Sequence, residues 1–562
     1  MKKKPVIPQN KPRENPPLLF LLLILVPLFG GYYNFSVLLA GAVLVLLLLY
    51  TVRRSGALTL PTGPEAWCLY ALCLAALSAV PFALSPGMAL SGFLRTAVWV
   101  LFFLYAATYS GRERAAILDA VAYEGAILSL VTILFFLYDA ATGVPDANGR
   151  IDGPFQYANT WSLFLLVCLI LLAGKQARSK WDYPAMAALL AGVYLSGSRG
   201  TFLLLLPLAL GYGVWYGVTK RRWLPLALGC AGVVAVGVLA AVLSGGMVLD
   251  RLRAITLSSS SLNGRLLYYL DGLRMIADHP LGVGRGGYLY LQPLYQTGVY
   301  TLKFIHNEYL QAALDAGVLS GVLTLALMAC LFFRRGASGR ERAVVFAAAA
   351  HAMIDFDFQF TAVVLLLLLC GSGGRTRRVP VPQKVPAALA GAALTLAFGF
   401  FSAVYLLDFA GQPGAAYTLF PADLALAENK LQSCAGVDDA QPVAEHILSI
   451  TDTSMLAWDC RFAAAAQAAD GPGMVRAKFQ YLRLNPYRGE VYQDFTALVE
   501  TSSASCSPAE LDEYQTLAQA VIHQIEEVNR NTSPLAWRIA DRPDLDFSAD
   551  VTARLQAIIE RG

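Results

Sequence analysis

Charge is scarce in this chain. Asp, Glu, Lys and Arg together make up 15% of its 562 residues, against about 25% in an average soluble domain. With 56% of residues hydrophobic, that scarcity excludes a soluble globular or disordered protein and leaves an integral membrane protein. The formal net charge of +4 is small for the length and gives no basis for nucleic-acid binding. No small-residue cleavage site follows the basic head MKKKPVIPQNKPRENPP. Residues from Leu18 onward therefore read as a retained first span, not a signal peptide. The nine cysteines have no zinc-like spacing. Six lie in or beside apolar runs, where cysteine acts as a small apolar residue. Cys434, Cys460 and Cys506 fall in the polar C-terminal region and leave one disulfide open. Histidine is rare too, at five residues. One of them, His306 in FIHNEYLQAALDAGVLSG (304–321), stands at the mouth of a long apolar run and needs a reason.

A bilayer core needs about 20 apolar residues per helix. Apolar runs occur near 17–30, 33–52, 65–83, 90–109, 115–138, 157–174, 183–197, 200–218, 223–244, 308–333, 341–356, 358–371 and 385–408. The basic loops TVRRSG, YSGRERA, GKQARSK, TKRRW, FRRGASGRER and GGRTRR follow alternate runs. The bias of Lys and Arg toward the cytoplasm puts all of them there, with residues 1–16 as a cytoplasmic tail. This alternation requires 341–371 to be two short helices broken near IDFDFQF. Irregular backbone is tolerated at that depth only where it lines a cavity. The expected fold class is an all-α polytopic membrane protein with about thirteen transmembrane helices over 17–408.

Two parts then lie outside. The segment 245–307 is too long for a plain connector. Within it, 265–277 reads as a helix begun by Asn263 and Gly264, stopped by His279-Pro280, with Leu266, Leu270, Leu273 and Ile276 as its apolar face. The tail 409–562 reads as helices near 415–433, 440–450, 456–469, 473–485, 488–503 and 508–529. MVRAKFQYLRLNPYRGEVYQDFTALVE (474–500) resembles a tetratricopeptide-type helix pair, which makes the tail an extracytoplasmic, α-helical, repeat-like domain without a clean 34-residue period.

Ionisable groups at membrane depth are expensive and are functional candidates by default. Arginines on the outer side also oppose the orientation bias. Snorkelling to headgroups is the bland explanation; bidentate binding of an anion such as phosphate is the sharper one. Arg95, Arg150, Arg199, Arg265 and Arg285 are the candidates. Arg199 sits at a tight turn where a helix N-terminus adds its dipole, and Arg265 is expected to open the loop helix with the same advantage. Asn307 is a good N-cap for the run after it, which puts the His306 imidazole at the outer interface. His351 lies one helical turn before Asp355, so the two are expected to pair.

The pieces SGSRGTFLL (196–204), NGRLLYYLDGLRMIADHPLGVGRGGY (263–288), HNEYLQAALDAGVLSG (306–321) and HAMIDFDFQF (351–360), in that order around a large loop, resemble the O-antigen ligase and polymerase superfamily. GRIDGPFQYANTWSLFLL (149–166) also fits that family. The resemblance covers about residues 85–372 and includes protein O-oligosaccharyltransferases. It implies a GT-C-like fold in a bacterial cytoplasmic (inner) membrane. It implies transfer of a glycan from a polyprenyl-diphosphate carrier to a glycan, lipid or protein hydroxyl, with inversion and with no metal or other cofactor. It implies His306, Arg199 and Arg265 as catalytic groups. Arg95, Arg150, Arg285, Asn307, His351 and Asp355 are then the expected substrate-binding residues, and 409–562 is the surface for an envelope protein partner. The pair Asp355 and Asp357 offers a metal-binding competitor to the arginines. A flippase for lipid-linked sugars would need charges deep in many spans, and a membrane-anchored scaffold acting through the tail leaves the outer arginines unexplained. Ligase and polymerase remain open.

Overall fold

The computed structural model describes residues 17–142, 149–220, 223–256 and 258–561. The tail 1–16 and part of the loop before Arg150 lie outside the described residues, as do Arg221 and Arg222 of TKRRW. The described residues form twenty-five α-helices and one two-stranded sheet, so the chain is an all-α, multi-pass membrane protein. Each of the thirteen apolar runs carries a helix or a helix pair. By length and composition, five described helices are fit to cross a bilayer: Asn34–Ser55, Pro64–Phe82, Pro86–Ala106, Gly111–Thr142 and Lys384–Phe409. A pair bent by 112°, Gly229–Leu243 with Met247–Arg253, raises the number to six. Other runs form shorter apolar helices, among them Ala158–Ala173, Val318–Phe333 and Thr361–Gly371.

The basic loops gather at one end of the bundle. Strand Ala57–Pro61, just after Arg53 and Arg54, pairs antiparallel with Thr376–Pro380, with Ala57 opposite Pro380 and Pro61 opposite Thr376. Arg340 reaches Asp119 at 2.6 Å, and a Cβ on Gly174 would lie 2.5 Å from the Arg340 Cβ. Arg334 donates to the Cys370 carbonyl at 3.0 Å. Loops near 53, 119, 174, 334 and 376 thus share one face.

The run 341–371 is broken. Gly339–His351 ends, the chain passes through an irregular stretch with one 3₁₀ turn at Asp357–Gln359, and Thr361–Gly371 begins. Its backbone groups cannot turn to lipid, and protein groups satisfy them. Ala352 O accepts from Glu308 N at 2.9 Å, and Met353 O accepts from Asn307 Nδ2 at 3.0 Å. The buried Glu308 carboxylate accepts from Phe358 N at 2.6 Å and Gln359 N at 3.2 Å. Arg95 donates to Gln359 O at 2.7 Å, and to Thr361 Oγ1 and Gly31 O, each at 3.1 Å.

Three expectations change here. The run 308–333 is two helices, Glu308–Ala316 and Val318–Phe333. Gly317 separates them at φ +88°, where an added Cβ would lie 3.1 Å from Pro280 O, a conformation in which other residues are strained. The loop helix runs Ser260–Asp278, so Arg265 sits in its second turn and not at its N-terminus; Ser259, not Asn263, is the N-cap. Its expected apolar face is mostly turned outward: Leu266, Leu270 and Leu273 are exposed, while Leu267, Asp271 and Met275 are buried. The buried Asp271 explains the rotation. It accepts from Thr297 N, Thr297 Oγ1 and Tyr300 Oη at 3.0, 2.9 and 2.7 Å. Burial pushes its carboxyl up from the ordinary value, and these hydrogen bonds with Arg274 pull against that shift.

The tail is helical throughout, with helices from Pro413–Leu419 to a final Ser548–Ile559 that the sequence reading leaves out. The expected 415–433 is split where Asp423 caps Leu424–Gln432, accepting from Ala425 N at 3.0 Å. Helices around Asn485-Pro486 pack on a core of Tyr492, Phe495, Tyr514, Val521 and Leu555. The tail docks on the segment 245–307 through Ser533 N to Thr297 O at 2.9 Å and Tyr290 Oη to Glu428 at 2.9 Å. All nine cysteines are free.

This end-to-end separation predicts a labelling pattern. With the native cysteines replaced, a cysteine at Ser258 should react with an impermeant maleimide in intact cells. One at Ser338, in a basic loop, should react only after permeabilisation. Equal labelling would remove the assignment of the basic end to the cytoplasm.

Candidate functional site

Asn307 caps helix Glu308–Ala316, its Oδ1 accepting from Tyr309 N at 3.0 Å and Leu310 N at 3.1 Å. The cap fixes the entry of the chain, and the residue before it takes an unusual backbone. His306 has φ +60°, the left-handed region that side chains other than glycine rarely adopt, at a cost of order 1–3 kcal/mol. Surrounding contacts hold it there. The Tyr269 hydroxyl lies 2.8 Å from His306 O, and Ile305 N donates to Gln311 Oε1 at 2.9 Å. The ring packs edge-on to Phe356 at 5.0 Å.

The imidazole points at the break. His306 Nδ1 is 3.2 Å from Asp355 Oδ1. Asp355, 1% exposed, is a hub. Its Oδ1 also accepts from Tyr157 Oη at 2.7 Å and from Phe356 N at 3.0 Å. Its Oδ2 accepts from Asn159 Nδ2 at 2.7 Å and Arg265 Nη2 at 3.3 Å. A buried carboxylate surrounded by donors stays ionised and accepts only. The network therefore assigns the proton of neutral His306 to Nδ1 and leaves Nε2 as a proton acceptor.

His351 does not pair with Asp355. Its helix ends at His351, so the one-turn spacing no longer applies. Its Nδ1 meets Asp357 Oδ2 at 2.6 Å, both groups buried, and Asp357 Oδ1 takes Thr160 Oγ1 at 2.8 Å. The two aspartates thus serve different partners, Asp355 facing a cavity and Asp357 lying behind it. Among the described residues, no group of three or more His, Cys, Asp or Glu side chains is arranged to hold a metal ion.

The cavity measures about 430 Å³ and is lined by Arg150, Arg199, Arg251, Arg265, His351 and Asp355, with Asn159, Ser198 and Ser261 between them. Arg150 is braced by Ser196 O at 2.6 Å and Asn159 Oδ1 at 2.8 Å. Arg199 opens helix Arg199–Lys220 and touches Ala254 O at 3.3 Å. Arg265 Nε is buried without a protein acceptor. Four guanidiniums against one lining carboxylate leave excess positive charge, beside a helix N-terminus of the same sign. Such a place favours a multiply charged anion.

Two expected residues lie elsewhere. Arg95 is 3% exposed, and all its hydrogen bonds go to the fold, including Tyr32 O at 2.9 Å. Arg285 donates to Gln359 Oε1 at 3.2 Å. Both border a second, mainly apolar cavity of about 930 Å³ with Glu308 and Asp315. Conversely, Arg251, Tyr157 and Asn159 belong to the site and were not singled out by sequence. Arg251 carried the same signal as its neighbours, a cation where the outward loops have few.

Asp355→Asn tests the hub. Each carboxylate oxygen receives at least two donors, so the amide nitrogen of asparagine faces donors in either orientation. We expect a loss of transfer of roughly 10²-fold or more and a lower melting temperature in detergent, since breaking a buried pair costs about 3–5 kcal/mol. A variant with wild-type rate and stability would strip Asp355 of this role.

Residues 184–325 match the family model described as O-antigen ligase. That stretch holds Arg199, Arg251, Arg265, Arg285, His306 and Asn307; Arg150, Tyr157 and Asn159 precede it, and His351 and Asp355 follow it. The chain matches no curated protein.

Proposed function

We propose, from the match of residues 184–325 to the O-antigen ligase family model, that this chain transfers a glycan from a polyprenyl-diphosphate donor to a hydroxyl acceptor on the outer face of the cytoplasmic membrane. The observation that carries the proposal is the His306–Asp355 pair at 3.2 Å beside a cavity lined by four arginines.

The acceptor oxygen attacks the anomeric carbon from the face opposite the diphosphate. The C–O bond forms as the bond to the diphosphate oxygen breaks, and its electron pair leaves on that oxygen. His306 Nε2 takes the hydroxyl proton, and Asp355 stabilises the imidazolium and keeps the ring oriented, as a carboxylate does behind any catalytic histidine. Arg199, Arg265, Arg150 and Arg251 meet the charge growing on the diphosphate. Arg150, Arg199 and Arg265 are held before reaction by Ser196, Asn159, Ala254 and Asp355, so little reorganisation of these three is needed. In this scheme guanidinium groups neutralise the leaving group where other glycosyltransferases use a divalent ion. Asn307 sets the backbone of His306, and His351 with Asp357 supports the wall behind Asp355. The helical tail, docked on the loop beside the site, is the part of the chain placed to meet an acceptor or an envelope partner.

His306→Ala should reduce transfer about 10²–10⁴-fold in a purified assay with lipid-linked donor. His279→Ala, whose ring lies 3.3 Å from the Tyr295 hydroxyl, should stay near wild type. An active His306→Ala enzyme would take His306 out of the mechanism. Transfer should also persist in excess EDTA. Loss of activity that magnesium or manganese restores would move the role of the arginines to a metal held by Asp355 and Asp357.

A further inference from the structure

Helix Ser260–Asp278 turns leucines away from the protein. Leu266, Leu270 and Leu273 are 42%, 49% and 48% exposed. Their spacing sets them in one line along the helix. Water is a poor neighbour for such a line. Nor does the tail cover it: the tail packs on the other side, where Ala536 joins Leu267 and Tyr300 in one buried cluster.

The line continues onto the exposed side of an apolar helix. Past the helix end it meets Leu281, 57% exposed, next to Pro280, whose carbonyl accepts from Val318 N at 3.0 Å. From there it runs along the apolar helix Val318–Phe333 through Leu319, Val322 and Leu325, 63%, 60% and 58% exposed. At its flank, Tyr269 lies 3.0 Å from Met353 O in the membrane-level break, and the Met353 side chain is 56% exposed. Arg274, 60% exposed beside the line, has the reach to put its charge among headgroups.

We propose that Ser260–Asp278 is an interfacial helix, seated in the outer leaflet with Leu266, Leu270 and Leu273 in the acyl boundary and Arg265 turned inward to the polar cavity. An amphipathic helix in this position buries its apolar face about 5–10 Å into the boundary. The four-arginine cavity then opens at the depth of lipid phosphates, and a membrane-borne anion reaches it without leaving the bilayer plane. The inference rests on membrane embedding and on the exposed surface, not on the transfer chemistry.

Depth measurement by spin labelling decides it. The full chain, with native cysteines replaced, carries a nitroxide at Leu270→Cys or, as a second position, Leu273→Cys, in nanodiscs of phosphatidylcholine and phosphatidylglycerol. Both labels should collide with oxygen in preference to a water-soluble nickel chelate, whereas a label at Ser258→Cys should show the reverse. Preference for the nickel chelate at 270 and 273 would overturn the proposal by showing the face in water. Exclusion of both reagents would also overturn it, by showing the face covered with protein, a second copy included.

Discussion

A helix broken within a bilayer must find partners in protein or at a cavity for the backbone groups it frees, because lipid supplies none. The architecture around residues 352–360 follows from that constraint. The adjacent Asn307 and Glu308, and Arg95 from a distant part of the chain, converge on Ala352, Met353, Phe358 and Gln359. The sequence HNE is therefore one device. Its histidine meets Asp355, its asparagine holds both a helix start and a carbonyl of the break, and its glutamate accepts two amides of the break. Placing the base and fixing the fold are the same set of contacts.

Charge is organised in two layers. Behind the cavity lining, buried Asp357 meets His351, itself a lining residue, at 2.6 Å. At the wall, Asp355 alone faces Arg265 and His306, while Arg150, Arg199 and Arg251 stand around it. Like charges crowded in a low-dielectric site repel, and that repulsion is relieved when an anion enters. The polar cavity and the apolar cavity bordered by Arg95 and Arg285 are separated by the break itself, so one irregular stretch shapes both.

Much of this was legible in the sequence, for identifiable reasons. Apolar runs gave the helices because lipid and helix length are coupled. Alternating basic loops required the break near IDFDFQF, and the helix does stop at His351 and restart at Thr361. Asn307 reads as a cap because its side chain is short and polar. What failed depended on tertiary context. Arg95 looks like any outer arginine until Gly31, Tyr32 and Gln359 are seen around it. The His351–Asp355 pairing assumed a helix that had already ended. Leu266, Leu270 and Leu273 have helical spacing, but spacing reveals a face and not what it faces; the buried Asp271 set the rotation. Arg251 was missed because it lies seven residues past a span, in a short helix with no motif around it.

The order of synthesis adds a consequence to the way the break is held. Arg95, Tyr269, Asn307 and Glu308 all precede residues 352–360 in the chain. A ribosome working from the N-terminus therefore delivers every partner before the segment that needs them. Helix Gly339–His351 is short and ends in a buried histidine, a weak candidate for insertion by itself. It enters a bundle for which the acceptors and donors of its far end have already been made, and the docking tail is made after it. Assembly of this protein is thus directional: the region that completes the cavity is among the last of the membrane core to be made, and the half-built chain that precedes it has the arginines but not the carboxylate that gathers them.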